Sequence, residues 1–218
     1  MNTFEHAINA AKASVDEMIK EERDDTDQND NDLRRRRLFG SGILLARRDV
    51  ESIAASKHRT TPALEAVQAF GASTDADRPV LILSGSTGCG KTYAAACAIA
   101  SAGGTVVSSR ELGRRCEPHQ NELNAGIRMI DLKQRLLVLD DLGTETGVDD
   151  KRWSTAFGSF IDHRQMFGKT IITTSLTREA MDLRYDERIT DRLNDCAVLV
   201  TIVTESMRRD RATDGRKT

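Results

Sequence analysis

The stretch GSTGCGKT, residues 85–92, has the residue types and spacing of a loop that binds phosphate. Its glycines let the backbone curl so that several N–H groups point at one anion. Lys91 can reach the outer phosphates of a nucleotide as a point charge, and the Thr92 hydroxyl can bind Mg²⁺. The full pattern, between an apolar run and a helical segment, favours nucleotide binding over a bare glycine-rich turn. The residues assigned to nucleotide binding in this loop are Gly85, Ser86, Thr87, Gly88, Cys89, Gly90, Lys91 and Thr92.

Two adjacent carboxylates, Asp140 and Asp141, follow an apolar run in RLLVLDDLG, residues 135–143. Ligands of open α/β sheets gather at the carboxyl ends of the strands, so both side chains are predicted to face the phosphates. Asp140 is predicted to hold Mg²⁺ through water, and Asp141 to polarise the water that attacks the γ-phosphate. The alternative is a solvated acidic turn. Residues 140–143 also fit the DxxG pattern of GTPases, but no NKxD-type motif for guanine occurs in the sequence, so ATP is favoured.

Apolar, β-branched runs alternate with helical segments from residue 60 onward. Strands are predicted at residues 80–84, 105–109, 136–140, 170–174 and 198–203. Helices are predicted at residues 46–57, 62–70, 91–102, 111–116, 123–134, 151–167 and 178–193. Strands joined by helical crossovers indicate an α/β fold, in which a parallel sheet of five strands is covered by helices on both faces.

The first 58 residues differ from the rest and are predicted to form a helical, partly disordered appendage that docks a partner. Apolar residues between positions 4 and 19 recur at helical spacing. Residues 21–32 carry no apolar side chain and are predicted to be a solvated linker. The arginines at 34–37 either touch DNA phosphates or pair with the preceding acidic tract. Residues 59–210 are predicted to be the nucleotide-binding core, and residues 211–218 a flexible tail.

Composition narrows the class of protein. The formal net charge of −2 argues against a chain that coats nucleic acid over its whole surface. The four cysteines are scattered without a CxxC pair, which argues against a zinc module or a disulfide framework and suits reduced thiols. Cys89 is more simply a small space-filling residue than a redox sensor. No run approaches the roughly 20 apolar residues of a membrane span, so a cytoplasmic protein without a membrane partner is expected.

From about residue 60 to residue 209 the chain resembles the AAA+ ATPases, and within them the DnaC/DnaI-type helicase loaders and the IstB-type transposition helpers. The segments that carry this resemblance, in family order, are VLILSGSTGCGKT, VVSSRELGRR, LLVLDDLG, FIDHRQMFGKTIITTSLT, DERITDRL and ESMR. The first and third are general to P-loop ATPases, whereas the last three are more particular to this clade. The resemblance implies a P-loop NTPase fold with an AAA+ core.

The resemblance also implies roles for residues outside the phosphate loop. Ser175 stands where the family usually has an Asn that orients the attacking water, and Thr174 is a possible substitute; the alternative is a polar cluster that ends a strand. Arg192, with Arg188 as second candidate, matches the arginine finger that reaches the γ-phosphate of a neighbouring subunit; the alternative is a solvated helix face. Arg208 matches the second sensor arginine, which touches nucleotide; the alternative is a basic tail.

The expected function is that of an ATP-binding and ATP-hydrolysing protein, weakly active as a monomer, that loads a hexameric replicative helicase. A transposition helper that bridges DNA and a transposase is the alternative within the same clade. A small-molecule kinase with the same phosphate loop is the alternative from another class. Aromatic content is only 4%, so single-stranded DNA binding is expected to be weak, electrostatic and ATP-dependent. A homo-oligomer is expected in the ATP state.

Overall fold

The computed structural model of the protein describes residues 26–57, 60–115, 135–145 and 150–204. Four predictions fall outside these residues: the amphipathic helix between positions 4 and 19, the helix at 123–134, the tail at 211–218, and the sensor role of Arg208. No helix in the described part of the chain is both long and apolar enough to cross a bilayer.

Five strands form one parallel sheet, as predicted, in the order β2-β3-β4-β1-β5. Their bounds are β1 Val80–Gly85, β2 Thr105–Ser108, β3 Leu136–Leu142, β4 Lys169–Thr174 and β5 Ala197–Ile202. The central strands β1 and β4 are buried along nearly their whole length, because helices cover both faces of the sheet. The carboxyl ends of β1, β3 and β4 therefore meet at one edge.

Helices cover both sheet faces. The bounds are α1 residues 26–41, α2 Arg47–Ala54, α3 Pro62–Ala72, α4 Lys91–Ala102, α5 Ser109–Arg115, α6 Asp150–Phe167, α7 Arg178–Arg184 and α8 Glu187–Cys196. The apolar cluster on one face joins α3 and α4 to residues of α1 and α2. The cluster on the other face joins α6, α7 and α8. The α/β architecture with helices on both faces is confirmed.

The prediction of one helix over residues 178–193 is wrong, because the chain is extended at Tyr185 and Asp186. Asp186 caps a new helix: its carboxylate accepts a hydrogen bond from the backbone N–H of Ile189 at 3.0 Å. An N-cap aspartate satisfies a backbone donor that the first helical turn leaves without a partner. Helices α7 and α8 are consequently separate elements.

The prediction of an acidic linker is also wrong where it overlaps the described residues, because positions 26–32 lie in α1; most of these side chains are nevertheless exposed, as predicted. Two ion pairs within the helix join the acidic tract to the arginines one turn further along the chain. Asp30 pairs with Arg34 at 3.8 Å, and Asp32 with Arg35 at 2.8 Å. Pairs three and four residues apart stabilise a helix by about 0.2–0.5 kcal/mol each. Asp30 and Asp32 thus have partners one turn beyond the predicted linker, and these pairs support the helix.

Three of the four arginines at 34–37 are engaged within the chain. Arg34 donates to the carbonyl of Ala54 at 3.1 Å, and Arg35 pairs with Glu51 of α2 at 2.6 Å. Arg37 donates to the carbonyl of Ala100 at 3.0 Å, at the carboxyl end of α4. A positive side chain is favourable there because of the helix dipole. The geometry therefore favours intramolecular pairing over DNA contact for this run.

Replacement of Leu38 by alanine is expected to lower the free energy of unfolding by about 2–5 kcal/mol. Leu38 is 1% exposed and packs in the cluster around α4, so truncation leaves a cavity. Urea unfolding of the full chain measures the effect. Phe39→Ala is the control, because Phe39 is 71% exposed and should change the stability little. Equal effects of the two substitutions would show that α1 does not pack on the core.

Candidate nucleotide-binding site

The phosphate loop connects the end of β1 to the start of α4, as its pattern requires. Gly88 and Gly90 have φ angles of +88° and +94°, which glycine adopts more readily than other residues. Gly90 immediately precedes α4 and brings no capping side chain, so the first-turn N–H groups of α4 face the loop. Such a helix N-terminus attracts anions.

The Lys91 ammonium lies inside this loop and is 7% exposed. It donates hydrogen bonds to the carbonyls of Gly85 at 2.7 Å and Ser86 at 2.9 Å, and lies 3.6 Å from the Cys89 sulfur. Among the described residues it pairs with no carboxylate. The loop therefore holds a buried positive charge, and the phosphates of a nucleotide fit that charge.

Thr92 and Asp140 meet at the carboxyl edge of the sheet. The Thr92 hydroxyl donates to Asp140 Oδ1 at 2.9 Å, and the Thr173 hydroxyl of β4 donates to the same oxygen at 2.6 Å. A carboxylate and a hydroxyl are the oxygen ligands that Mg²⁺ prefers, usually with substrate phosphates and water. The described residues include no cluster of three or more acidic, histidine or cysteine side chains that could hold a metal ion. A Mg²⁺ site that takes some of its ligands from the nucleotide does not need such a cluster.

Burial raises the pKa of Asp140, and the neighbouring Asp141 adds to the rise. Hydrogen bonds from Thr173 and Thr92 and the positive charge of Lys91 oppose it, and the net direction is upward. The folded chain thus binds a proton at Asp140 more readily than the unfolded chain does. Ionised Asp140 therefore costs stability as the pH rises through its raised pKa, and this cost is absent in acid.

Asp140→Asn is accordingly expected to stabilise the nucleotide-free protein at pH 8, because asparagine fills the same place without a charge. A gain of about 1 kcal/mol would raise Tm by about 2–4 °C in a chain of this size. Thermal unfolding in chelator at pH 8 and at pH 4.5 measures it, and the gain should shrink at the lower pH. A destabilised variant at pH 8 would contradict the argument.

Asp141 is more exposed to solvent than its neighbour Asp140, although both belong to β3. Asp141 is exposed and has a φ of +58°, and the pairing of β3 with β4 is irregular between Leu139 and Leu142. Its backbone N–H donates to the Thr173 hydroxyl at 3.0 Å. Such an irregularity redirects a side chain. Asp140 is consequently partly buried beside the loop, and Asp141 is open to solvent.

The structure brings Thr173, and not Ser175, into contact with the acidic pair. Ser175 is exposed just beyond β4, and its role in orienting water stays a prediction. Thr174 is buried, and its hydroxyl donates to the carbonyl of Leu142 at 2.7 Å. The sequence does not single out Thr173, because its place beside Asp140 follows from the register of the sheet, in which the preceding residues Leu139 and Ile172 are partners.

Arg188 and Arg192 lie on α8, which packs in the cluster on the sheet face opposite α4. Arg192 pairs with Asp162 of α6 at 3.2 Å, and the two side chains are 44% and 49% exposed. Arg188 is exposed. Within the described residues neither arginine forms a hydrogen bond or ion pair with residues 85–92. The structure therefore does not bring them to the phosphate loop of their own chain.

The loop between β1 and α4, the partly buried aspartate near the end of β3, and the strand order β2-β3-β4-β1-β5 define a P-loop NTPase with an AAA+ core. Within that class, the chain belongs to the family of IstB-like ATP binding proteins, which it matches over residues 5–214. This family lies in the DnaC/IstB clade of AAA+ proteins. No curated protein is significantly similar in sequence to the chain.

Solved structures share the fold. The chain is similar to a crystal structure of DnaI, with 23% identity and a TM-score of 0.51 over 66% of this chain and 81% of that chain. It is similar to AMPPCP-bound DnaA from Aquifex aeolicus, with 19% identity and a TM-score of 0.54 over 74% of this chain and 54% of that chain. A primosome component described as putative, from Streptococcus pyogenes serotype M3, has 16% identity and a TM-score of 0.52 over 72% of this chain and 90% of that chain. At these identities the likeness concerns the fold.

Proposed function

We propose that this chain binds ATP at residues 85–92, hydrolyses it, and uses the cycle to load a hexameric replicative helicase onto DNA in the cytoplasm. The observation that carries the ATPase part is the contact between Thr92 and Asp140, which joins the phosphate loop to the acidic strand at 2.9 Å. Thr92 and Asp140 would hold Mg²⁺, which would neutralise charge on the phosphates. Exposed Asp141 would polarise the attacking water.

The choice of a helicase as client is supported by two of the structures that share the fold, DnaI and the primosome component. The family match to IstB-like proteins supports the alternative, a transposition helper that bridges DNA and a transposase. Fold and phosphate loop are common to both, so the client must be recognised by other surfaces. A small-molecule kinase is the candidate from another class.

Assembly and DNA binding belong to the same proposal. Among the described residues the two arginines of α8 form no bond with the phosphate loop of their own chain, so an arginine that completes the site would come from a neighbouring copy in the ATP state. Single-stranded DNA binding is proposed to be weak and ATP-dependent, because three of the arginines at 34–37 already bond within the chain and are less available to phosphates.

An ATPase assay with and without single-stranded DNA separates the ATPase proposals from the kinase. Phosphate release without an acceptor, increased by DNA, is expected. ADP formation that requires a small-molecule acceptor, with the phosphoryl group on that acceptor and no free phosphate, would identify a kinase.

Affinity capture separates the two clients. Tagged protein is loaded with a non-hydrolysable ATP analogue, Lys91→Ala is the control, and bound proteins are identified by mass spectrometry. Enrichment of a hexameric helicase is expected, and a transposase in its place would favour the alternative.

A further inference from the structure

Glu145, just after the acidic strand, is a buried carboxylate with a role that the phosphate site does not explain. It is 7% exposed. Burial raises its pKa, but hydrogen bonds from Ser109, Tyr185 and the backbone together outweigh burial, so the pKa lies below its usual value. A buried anion is tolerated only where donors surround it. The donors around Glu145 therefore show which parts of the chain this carboxylate holds together.

One oxygen of Glu145 faces the nucleotide-binding edge of its own chain. Oε2 accepts a hydrogen bond from the Gly143 N–H at 2.9 Å and another from the hydroxyl of Ser109. Gly143 lies two residues after Asp141, and Ser109 begins α5 directly after β2. These bonds fix the loop after the acidic pair against the neighbouring strand.

The other oxygen faces the end of α7. Oε1 accepts from the Tyr185 hydroxyl at 2.7 Å and from Arg184 Nε at 3.1 Å. Arg184 also donates to the backbone carbonyl of Glu145 at 3.0 Å. The Tyr185 ring packs on Phe157 of α6, with centroids 5.9 Å apart. The end of α7 is thus held from two sides.

The attachment at Tyr185 lies immediately before helix α8. Tyr185 directly precedes Asp186, the residue that caps α8, and α8 carries Arg188 and Arg192. The residue that bonds to Glu145 and the residue that caps α8 are therefore adjacent in the chain. The orientation of α8 at its N-terminal end therefore depends on where Tyr185 is held.

We propose that Glu145 is a positioning residue, which clamps the start of α8 to the loop behind Asp141 and so sets the place of Arg188 and Arg192. This inference rests on the proposed ATPase function for its effect on rate. It concerns positioning only, because Glu145 touches none of the residues of the phosphate loop among its described partners. A purely structural carboxylate would instead affect folding, binding and hydrolysis together.

The first test is amide hydrogen exchange of the full chain, which requires no activity. Glu145→Gln retains the shape but removes the charge that Arg184 pairs with and replaces an acceptor by a donor. Exchange over residues 178–196 is expected to accelerate at least about tenfold, while residues 80–102 keep their protection. Glu65→Gln, an exposed carboxylate on α3, is the matched control. Unchanged exchange over 178–196 would overturn the inference.

The second test is kinetic. Glu145→Gln is expected to lower kcat for ATP hydrolysis about 10–100-fold, since small misplacements of catalytic groups have effects of that size, with Kd for a fluorescent ATP analogue nearly unchanged. Tyr185→Phe, which retains the ring and loses one bond, should have a smaller effect in the same direction. Mixing Glu145→Gln with Lys91→Ala subunits should restore activity, because one supplies the nucleotide site and the other an ordered α8.

The outcomes separate this inference from the function on which it rests. A parallel loss of affinity and kcat, or no recovery on mixing, would contradict positioning by Glu145. A wild-type chain that does not hydrolyse ATP would instead contradict the proposed function. The hydrogen-exchange experiment would then be the test of whether Glu145 positions α8.

Discussion

Lys91→Ala is expected to lower the affinity for ATP at least about 100-fold. The ammonium is buried in the loop and reaches only carbonyls and a sulfur, so phosphate oxygens are its strongest available partners. Two hydrogen bonds between charged groups contribute about 3 kcal/mol or more, which corresponds to at least about 100-fold in Kd. The substitution also leaves the carbonyls of Gly85 and Ser86 without their donor.

Titration with a fluorescent adenine nucleotide analogue measures this effect. Lys151→Ala is the matched control, because Lys151 is an exposed lysine on α6 and should bind as the wild type does. Thermal unfolding without nucleotide confirms that the Lys91 variant is folded. Affinity within a factor of three of the wild type would contradict ATP binding at the phosphate loop. The proposed roles of Thr92 and Asp140 would then fail as well.

Arg192→Ala is expected to lower kcat for ATP hydrolysis about 10³-fold or more, the range of an arginine that stabilises charge at the γ-phosphate. In the structure Arg192 pairs with Asp162, and both side chains are about half exposed. An exposed ion pair contributes only about 0–1 kcal/mol, so a neighbouring nucleotide can draw the arginine away. The loss should therefore be in kcat, with ATP affinity retained.

Subunit mixing decides whether Arg192 acts between chains. Arg192→Ala subunits retain a nucleotide site, and Lys91→Ala subunits retain the arginine, so the mixture should recover activity that neither has alone. Asp162→Asn is the control: it frees Arg192 and should leave kcat unchanged or raise it. A mixture as inactive as its components would exclude action in trans.

The phosphate loop and the sheet could be predicted from the sequence because their determinants are local. A loop that needs glycine at two positive φ angles, followed by Lys91 and Thr92, has a spacing that few other arrangements share. Buried parallel strands read as apolar β-branched runs. These signals located all five strands to within a few residues, and they predicted that Thr92 and Asp140 serve the same magnesium ion.

Other features depended on partners distant in sequence. An acidic tract without apolar residues reads as solvated, but the ion pairs to Arg34 and Arg35 and the burial of Leu38 hold α1 on the core. The break between α7 and α8 depends on a cap at Asp186, which periodicity alone does not reveal.

The sequence by itself determined where a phosphate loop is expected, which strand carries the two carboxylates and which fold class results. Only the tertiary structure decided that Thr173 donates to Asp140, that Asp141 is exposed and that Glu145 joins the loop after Asp141 to Tyr185 at the end of α7. The physical reason is the sequence distance over which each effect acts. Backbone propensity and motif spacing depend on residues only a few positions apart. The environment of a carboxylate is set by donors that the parallel sheet and its crossovers bring from 30 to 40 positions away.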